Sequence, residues 1–275
     1  MVAVGVALLG AVLIALFSGT ALYVGLSYLS AFLLRPASWR RARLFRAALV
    51  ELAAAWLVIP FWPLWWLLGE VYRVETEGVG EAHGRRHPVV LLHGFGMNRT
   101  QWIWLARRLR ARGHGPIYGM NYFSLQRADR SAKQLARYVD RILERERAEV
   151  VDIVAHSLGG IVARYYIERL SGGRKVGRLV TIGTPHKGTR AARTGFLIPS
   201  ALDLRMDSQL LSDLGPVRAG AEYTSIWSRA DAIVQPPESA SIAPEGTDAV
   251  FDDLGHLSMI LSPRVVDVIA ARLRD

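Results

Sequence analysis

A serine between small residues is the first candidate for chemistry in this chain. Ser157 lies in the segment AHSLGG at 155–160, after an apolar run and before an amphipathic segment. A serine at a sharp turn from strand to helix needs small residues two positions before and after it, because larger side chains would collide there. Ala155 and Gly159 meet that requirement, although glycine is the usual first residue of the pattern. The segment therefore predicts that Ser157 is a nucleophile.

A serine hydroxyl is a weak nucleophile unless a general base takes its proton, and the base needs a carboxylate to orient it. Three of the seven histidines lie away from predicted strand ends and are interpreted as loop residues: His83, His87 and His114. Three more belong to other motifs: His93, His156 and His186. His256 follows the last predicted strand and precedes the terminal helix, so the chain order serine, acid, histidine predicts it as the base.

The acid should lie between the serine and the histidine, at the end of a different strand. Asp231 follows a predicted strand at 223–227 and precedes His256 by 25 residues. Asp252 and Asp253 are too close to His256 in sequence to come from a separate strand, and Asp203 falls in a predicted insertion. We therefore predict that Asp231 holds one tautomer of His256 and stabilises its imidazolium form.

Acyl transfer also requires donors for a tetrahedral oxyanion, and backbone amides serve because their dipoles are already fixed. One predicted donor is the amide of Leu158, directly after the nucleophile. The other is the amide of Phe95, in the segment HGFG at 93–96 that follows the first predicted strand. The alternative for these glycines is a plain tight turn.

The elements that must position these residues alternate along the chain from residue 88 onward. The predicted strands are 88–92, 116–122, 150–155, 176–182, 223–227 and 249–251, and the predicted helices are 98–112, 128–147, 158–170 and 263–273. Such alternation implies crossover connections, so we expect an α/β fold with a mostly parallel sheet and helices on both faces. Ligands bind at the carboxyl ends of strands in such sheets, where every predicted site residue lies.

Composition limits the other classes. Hydrophobic residues make up 51% of the 275 residues and charged residues 21%, which excludes a disordered chain. The absence of cysteine excludes disulfides, thiolate zinc sites and cysteine nucleophiles. A net charge of +10 alone suggests nucleic acid or an anionic membrane, but no nucleic-acid motif accompanies it.

Two apolar runs precede the alternating region and predict a membrane hairpin at 1–69. Residues 2–34 contain no charged side chain, and as a helix they would be about 50 Å long against about 30 Å of bilayer hydrocarbon. The second run, 47–68, contains only Glu51 as a charge. It ends in an aromatic cluster typical of the headgroup region: Phe61, Trp62, Trp65 and Trp66. The alternatives are buried core helices or, less favoured for the first run, a cleaved signal peptide.

The loop between the runs predicts an orientation. Residues 35–46 contain five arginines and no acid, and the positive-inside rule assigns such loops to the cytoplasm. Both ends of the hairpin would then face the other side. We therefore expect a multi-pass protein of a bacterial-type inner membrane, with a linker at 70–87 and an extracytoplasmic domain at 88–275. An ordinary solvated loop is the alternative.

Five motifs together resemble the α/β-hydrolase-fold bacterial lipases and esterases: LLHGFG at 91–96, AHSLGG at 155–160, TIGTPHKGT at 181–189, SIWSRADAIVQP at 225–236 and GH at 255–256. The resemblance implies a serine-dependent carboxyl-ester hydrolase with Ser157, Asp231 and His256 as its triad and the Phe95 and Leu158 amides as its oxyanion hole. It also implies a structural role for His186. The membrane hairpin is a departure, since the small secreted lipases lack it.

The sequence thus predicts a membrane-anchored esterase or lipase acting on an acyl-ester or lipid substrate, with no metal, cofactor or nucleic acid and no identifiable protein partner. An amidase, thioesterase or acyltransferase with the same triad remains open, as does a non-catalytic membrane interaction protein. One sizeable insertion, 189–221, is expected either to line an acyl pocket or dip toward the bilayer, or to pack on the sheet as a surface helix.

Overall fold

The computed structural model describes residues 2–34, 41–58, 87–170, 172–195, 197–217 and 220–274. The strands are β1 Val89–Leu92, β2 Ile117–Met120, β3 Val151–His156, β4 Val176–Ile182, β5 Glu222–Ser228 and β6 Thr247–Phe251. The helices are α1 Val2–Leu34, α2 Arg41–Val58, α3 Ile103–Ala111, α4 Ala128–Glu146, α5 Leu158–Arg169, α6 Pro199–Asp203, α7 Gln209–Leu214 and α8 Pro263–Arg272.

The six strands form one parallel sheet in the order β2-β1-β3-β4-β5-β6. Successive strand residues point to opposite faces, so Val90 and Leu92 join the core cluster under α4 and α5. Val89 and Leu91 join the cluster on the other face, under α3 and α8. The predicted α/β architecture, with helices on both faces, is confirmed.

The strand order brings two functional loops together. The chain runs outward from β1 to β2 and then returns to β3 on the other side of β1, so the direction of winding reverses between β1 and β3. Leu92 pairs with Ala155 at the carboxyl ends of these two strands. The loop carrying Phe95 and the turn carrying Ser157 therefore meet at the switch point, where sheets of this kind bind ligands.

The predicted insertion at 189–221 packs against the sheet in its described part. Leu210, Leu211 and Leu214 of α7 are buried in the cluster that contains α4 and α5. Leu197 is exposed, and Phe196 lies outside the described residues. This arrangement favours the surface-helix interpretation of the segment.

Of the two hairpin helices, the second begins earlier than predicted. Helix α1 covers 2–34 as predicted, but α2 begins at Arg41, six residues before the predicted start at residue 47. Arginine and alanine favour helices, so the second half of the predicted loop is helical. The rest of that loop, the aromatic cluster at 61–66 and most of the 70–87 linker lie outside the described residues.

Helix α1 is long and apolar enough to cross a membrane, and among the described ranges it is alone in this. The qualifying segment is Gly10–Leu33. Helix α2 instead carries three arginines and Glu51, and one of its faces is buried at Leu44, Ala47 and Ala55. These residues pack with Ala230 and Ala232, in the loop that follows β5. The described part of α2 is therefore an amphipathic helix docked on the domain, and a second transmembrane helix is not established.

A surface ion pair does not support the predicted orientation. Arg43, in the Arg-rich segment, contacts Asp252, in the domain, with its Nη1 3.0 Å from Oδ2. The prediction places these two residues on opposite sides of about 30 Å of hydrocarbon, a distance that an ion pair of this length does not bridge.

Candidate active site

Ser157 occupies the strained turn between β3 and α5. Its backbone has φ +54° and ψ −123°, a conformation that residues other than glycine rarely adopt. The Ser157 amide donates to the Ile182 carbonyl at 2.9 Å, and its carbonyl accepts from the Thr184 hydroxyl at 2.9 Å. These bonds hold the strained backbone and present the hydroxyl beyond the carboxyl end of the sheet.

Glycines permit the close packing around this turn. A Cβ atom at Gly159 would lie only 2.7 Å from the His93 carbonyl oxygen, so α5 can approach β1 only without a side chain there. A Cβ atom at Gly94 would lie 3.1 Å from Cβ of Ser157. The loop after β1 thus approaches the serine directly.

His256 and Asp231 form a buried pair, as the sequence predicts. His256 Nδ1 lies 2.7 Å from Asp231 Oδ2. The other oxygen, Oδ1, accepts the backbone N–H groups of Ile233 and Val234 at 2.8 and 2.9 Å. Because an ionised carboxylate only accepts, Nδ1 carries the hydrogen of this bond, and Nε2 of the neutral ring remains available as a base.

The environment of His256 favours its protonated form. Burial on its own would lower the pKa of His256, but the Asp231 carboxylate, with a smaller effect from Glu51, raises it above its usual range. The ring therefore has an increased affinity for the proton of a nucleophile.

The other candidate acids have partners elsewhere. Asp203 accepts the Ala128 amide at 2.7 Å and so caps the start of α4. Asp252 pairs with Arg43 and Arg229, and Asp253 pairs with Arg264. The structure brings only Asp231 of these four carboxylates to His256.

The two predicted oxyanion donors flank the serine. Neither the Phe95 amide nor the Leu158 amide has a hydrogen-bond acceptor among the described residues. The Phe95 loop is braced by the bond from the Gly96 amide to the Ser124 hydroxyl at 2.9 Å. It is also braced from below by Tyr122, whose hydroxyl donates to the His93 carbonyl at 2.6 Å.

Ser157 and His256 open into a cavity of about 290 Å³ between the domain and the hairpin. The hairpin contributes Tyr23, Val24, Ser27, Tyr28, Glu51 and Ala55 to its wall. The domain contributes Phe95, Met97, Ile233 and Leu257 among others. The described part of 189–221 contributes no residue to this wall. One of the predicted roles of that insertion was to line a pocket beside the serine, and the hairpin lines the cavity instead.

Two other buried histidines, His156 and His186, have contacts of their own. His186 lies 3.0 Å from the Thr181 hydroxyl and borders a different cavity. His156 packs against His256 with ring centroids 4.7 Å apart. Burial lowers the pKa of both His156 and His186 well below the usual range, so both rings are neutral. No group of three His, Asp or Glu side chains suited to a metal ion occurs in the described part of the chain.

Two residues that contact the site, Thr184 and Glu51, were not predicted from the sequence. Thr184 supports the Ser157 carbonyl, and only its place in the 181–189 motif pointed to it. Glu51 reaches the His256 loop from α2, where its carboxylate accepts two backbone amides. The sequence does contain a feature that indicates Glu51, which is the single charged residue in the apolar run 47–68. An ionisable residue in such a run is a candidate for a functional role.

A known protein family matches the part of the chain that contains Ser157. The palmitoyl protein thioesterase family model matches residues 88–230, just over half of the chain. The chain belongs to this family. The family match includes Ser157 and both predicted oxyanion donors, and it ends one residue before Asp231.

Curated relatives of this family member are lipases. Triacylglycerol lipases of Pseudarthrobacter phenanthrenivorans and Burkholderia plantarii are each 31% identical to it over 116 residues, or 39% of the chain. The alignments cover 35% and 32% of those lipases, so the match spans about a third of their length.

Among solved structures, the mature Bacillus licheniformis lipase BlEst2 superposes on this family member with a TM-score of 0.64 at 17% identity. The superposition covers 74% of this chain and 98% of that one. This likeness shows the α/β-hydrolase fold, and the resemblance to the lipases and esterases of that fold is confirmed.

Proposed function

We propose that this protein is a membrane-associated serine hydrolase that cleaves the acyl esters of lipids, with catalysis by the domain at 88–275. The observation that carries the proposal is that Ser157, at its strained turn, and His256, paired with the buried Asp231, line one cavity that the hairpin helps to enclose. The nucleophile Ser157 and the base His256 then lie beside the cavity that would hold the acyl chain.

In the first half-reaction, His256 Nε2 takes the proton of the Ser157 hydroxyl as its oxygen attacks the ester carbonyl carbon. The resulting oxyanion accepts hydrogen bonds from the Phe95 and Leu158 amides. When the intermediate collapses, the bond to the leaving alcohol breaks and His256 gives that alcohol the proton. Asp231 stabilises the imidazolium throughout without becoming protonated.

In the second half-reaction, a water molecule replaces the alcohol. His256 takes one proton from the water as the oxygen attacks the acyl-enzyme. The fatty acid leaves, and the proton returns to the Ser157 oxygen. No step needs a metal or an organic cofactor.

Hydrolysis of a chain-length series of nitrophenyl esters by the full chain in lipid nanodiscs tests the proposal. We expect activity that rises from acetate to medium and long acyl chains, because the cavity wall is mainly apolar. The absence of hydrolysis across the series would contradict the hydrolase assignment, whereas activity confined to acetate would contradict the lipid substrate.

A thioester is the second candidate substrate, favoured by the family that the chain belongs to. The same serine attack would then release a thiol. Matched oxygen esters and thioesters of one acyl chain separate the two candidates through their kcat/KM ratio. A ratio far above one for the thioester would favour an acyl-protein or acyl-carrier thioester.

Filling the cavity should change the chain-length preference. Ser27 lies on α1 and borders the cavity. We expect Ser27→Phe to lower kcat/KM for dodecanoate esters by about tenfold and to leave acetate hydrolysis unchanged, because only a long chain needs the filled space. Leu22→Phe is the matched control, since Leu22 is exposed on α1 outside the cavity. Equal losses for both chain lengths would contradict an acyl site here.

We further propose that the first part of α1 lies in the membrane and that the domain faces the cytoplasm. The residues of α1 that contact the domain begin at Tyr23. The 21 residues before them, 2–22, contain no charged side chain and as a helix are about 30 Å long, which is enough to cross the hydrocarbon. Arg43 contacts the domain, and the positive-inside rule places the Arg-rich segment in the cytoplasm. A C-terminal alkaline phosphatase fusion should be inactive and a green fluorescent protein fusion bright. An active phosphatase fusion would contradict this orientation.

A further inference from the structure

Glu51 connects the hairpin to the loop of the predicted base. The residue is 4% exposed on α2. Its Oε1 accepts the Leu257 amide at 2.8 Å, and its Oε2 accepts the Ser258 amide at 2.9 Å. These are the two backbone amides that directly follow His256, more than 200 positions along the chain.

These amides begin a series of turns that needs a cap. The Met259 amide bonds to the Gly255 carbonyl at 3.2 Å and the Ile260 amide to the Leu257 carbonyl at 3.1 Å. The first amides of such a segment have no partner within it, and a nearby side chain usually accepts from them. The local hydroxyl, Ser258 Oγ, instead accepts from the Gly255 amide at 2.7 Å. Glu51 therefore supplies the cap from another part of the chain.

The surroundings of the carboxylate are shaped to admit it. A Cβ atom at Gly255 would collide with the Glu51 carboxylate and with the Tyr28 hydroxyl, so the glycine leaves room for both. The Arg43–Asp252 ion pair and the apolar cluster of α1, α2, Ala230 and Ala232 dock the hairpin on either side of this contact. The position of the His256 backbone thus depends on the docked hairpin.

Several ionisable groups face His256 from the surrounding elements. Asp231 does so from the loop after β5, His156 from the end of β3 and Glu51 from α2, and Tyr23 of α1 borders the same cavity. Burial lowers the pKa of His256, while the negative charges of Asp231 and Glu51 both raise it. Burial raises the pKa of Glu51 itself, but the amides of Leu257 and Ser258 that donate to its two oxygens favour the ionised form. Loss of that negative charge should therefore lower the His256 pKa.

We propose that Glu51 is a positioning residue that caps the His256 loop and fixes the imidazole against Ser157, so that the hairpin is part of the active site as well as an anchor. The proposal rests on the proposed hydrolase function for its kinetic consequences. It does not rest on that function for its effect on the His256 ring.

Glu51→Gln in the full chain in nanodiscs is the primary test. The variant keeps the side-chain length, but one of the two amides then faces an NH₂ group in place of an oxygen. We expect kcat for a short ester to fall about 10²-fold with little change in KM, because the base is misplaced. We also expect the acidic limb of the kcat/KM profile to move to lower pH, because a less basic His256 remains neutral there.

Glu51→Asp distinguishes the effect of the carboxylate charge from the effect of the side-chain length that brings it to the loop amides. This variant keeps the charge and both acceptors on a side chain one methylene shorter, so we expect a smaller loss of kcat and an acidic limb close to that of the wild type. If Glu51→Gln does not fold, Glu51→Asp tests whether Glu51 positions His256. Unchanged kcat in Glu51→Asp would overturn the proposal. Arg46→Gln is the matched control, since Arg46 is exposed on the same helix and its change leaves both the docking contacts and the capped loop amides in place.

Two outcomes with Glu51→Gln would also overturn the proposal. One is a Glu51→Gln protein with a lowered melting temperature but with wild-type kcat and pH profile. The other is an unchanged His256 pKa in that variant, measured by NMR titration of labelled histidine. The NMR result is independent of turnover. A wild-type chain that neither hydrolyses esters nor reacts at Ser157 would refute the proposed function, while the NMR comparison would still decide the role of Glu51.

Discussion

Ser157→Ala should lower kcat for ester hydrolysis by about 10⁶-fold, to the level that oxyanion donors and binding alone support. The reason is that, among the described residues, no other hydroxyl at this site combines a strained turn, an adjacent His256 and the nearby amides of Phe95 and Leu158. Release of nitrophenol, followed with the full chain in nanodiscs, measures the effect.

The fold of this variant should be unaffected, because alanine and serine have similar difficulty in adopting φ +54°. A melting temperature within a few degrees of the wild type checks this. Ser212→Ala is the matched control, since Ser212 is exposed and remote from the cavity. Retention of more than a hundredth of wild-type kcat in Ser157→Ala would show that another group is the nucleophile.

Asp231→Asn should lower kcat by about 10⁴-fold, and the hydrogen bonds of Asp231 explain why. The two backbone amides of Ile233 and Val234 require an oxygen at the Oδ1 position. The new NH₂ group must then face His256 Nδ1 and donate to it. That bond fixes the tautomer with hydrogen on Nε2, which cannot accept the proton of Ser157.

The steady-state kcat of Asp231→Asn, compared with that of Asp253→Asn, tests this argument. Asp253 is the carboxylate closest to His256 in sequence, but it pairs with Arg264 at a partly exposed site. Such pairs contribute about 0 to 1 kcal/mol, so its loss should change kcat less than twofold. A fall of less than tenfold in Asp231→Asn would show that Asp231 does not orient the base.

Much of the domain could be predicted because local pattern and tertiary structure agree there. Strand β4 has the predicted bounds, and α4 ends one residue before its predicted end. The strand-end positions of Ser157, Asp231 and His256 follow from that order of elements, since parallel strands present their carboxyl ends at one edge.

The placement of the hairpin could not be predicted in this way. Alanine and leucine on α2 have the same pattern whether they meet lipid or a protein surface, and the second alternative applies at Ala47 and Ala55. The contact between Arg43 and Asp252 joins residues 209 positions apart, which a single sequence does not reveal. The predicted orientation depends on a bilayer crossing by residues 47–68, and the packing of Ala47 and Ala55 against the domain does not support that crossing.

If Ser157 is an activated nucleophile, it should react with a fluorophosphonate. The full chain in nanodiscs is treated with the probe, and the modified peptide is identified by mass spectrometry. We expect one adduct on Ser157, lost in Ser157→Ala and formed much more slowly in Asp231→Asn. An unlabelled native protein, or equal labelling of Ser157→Ala, would contradict this role of Ser157.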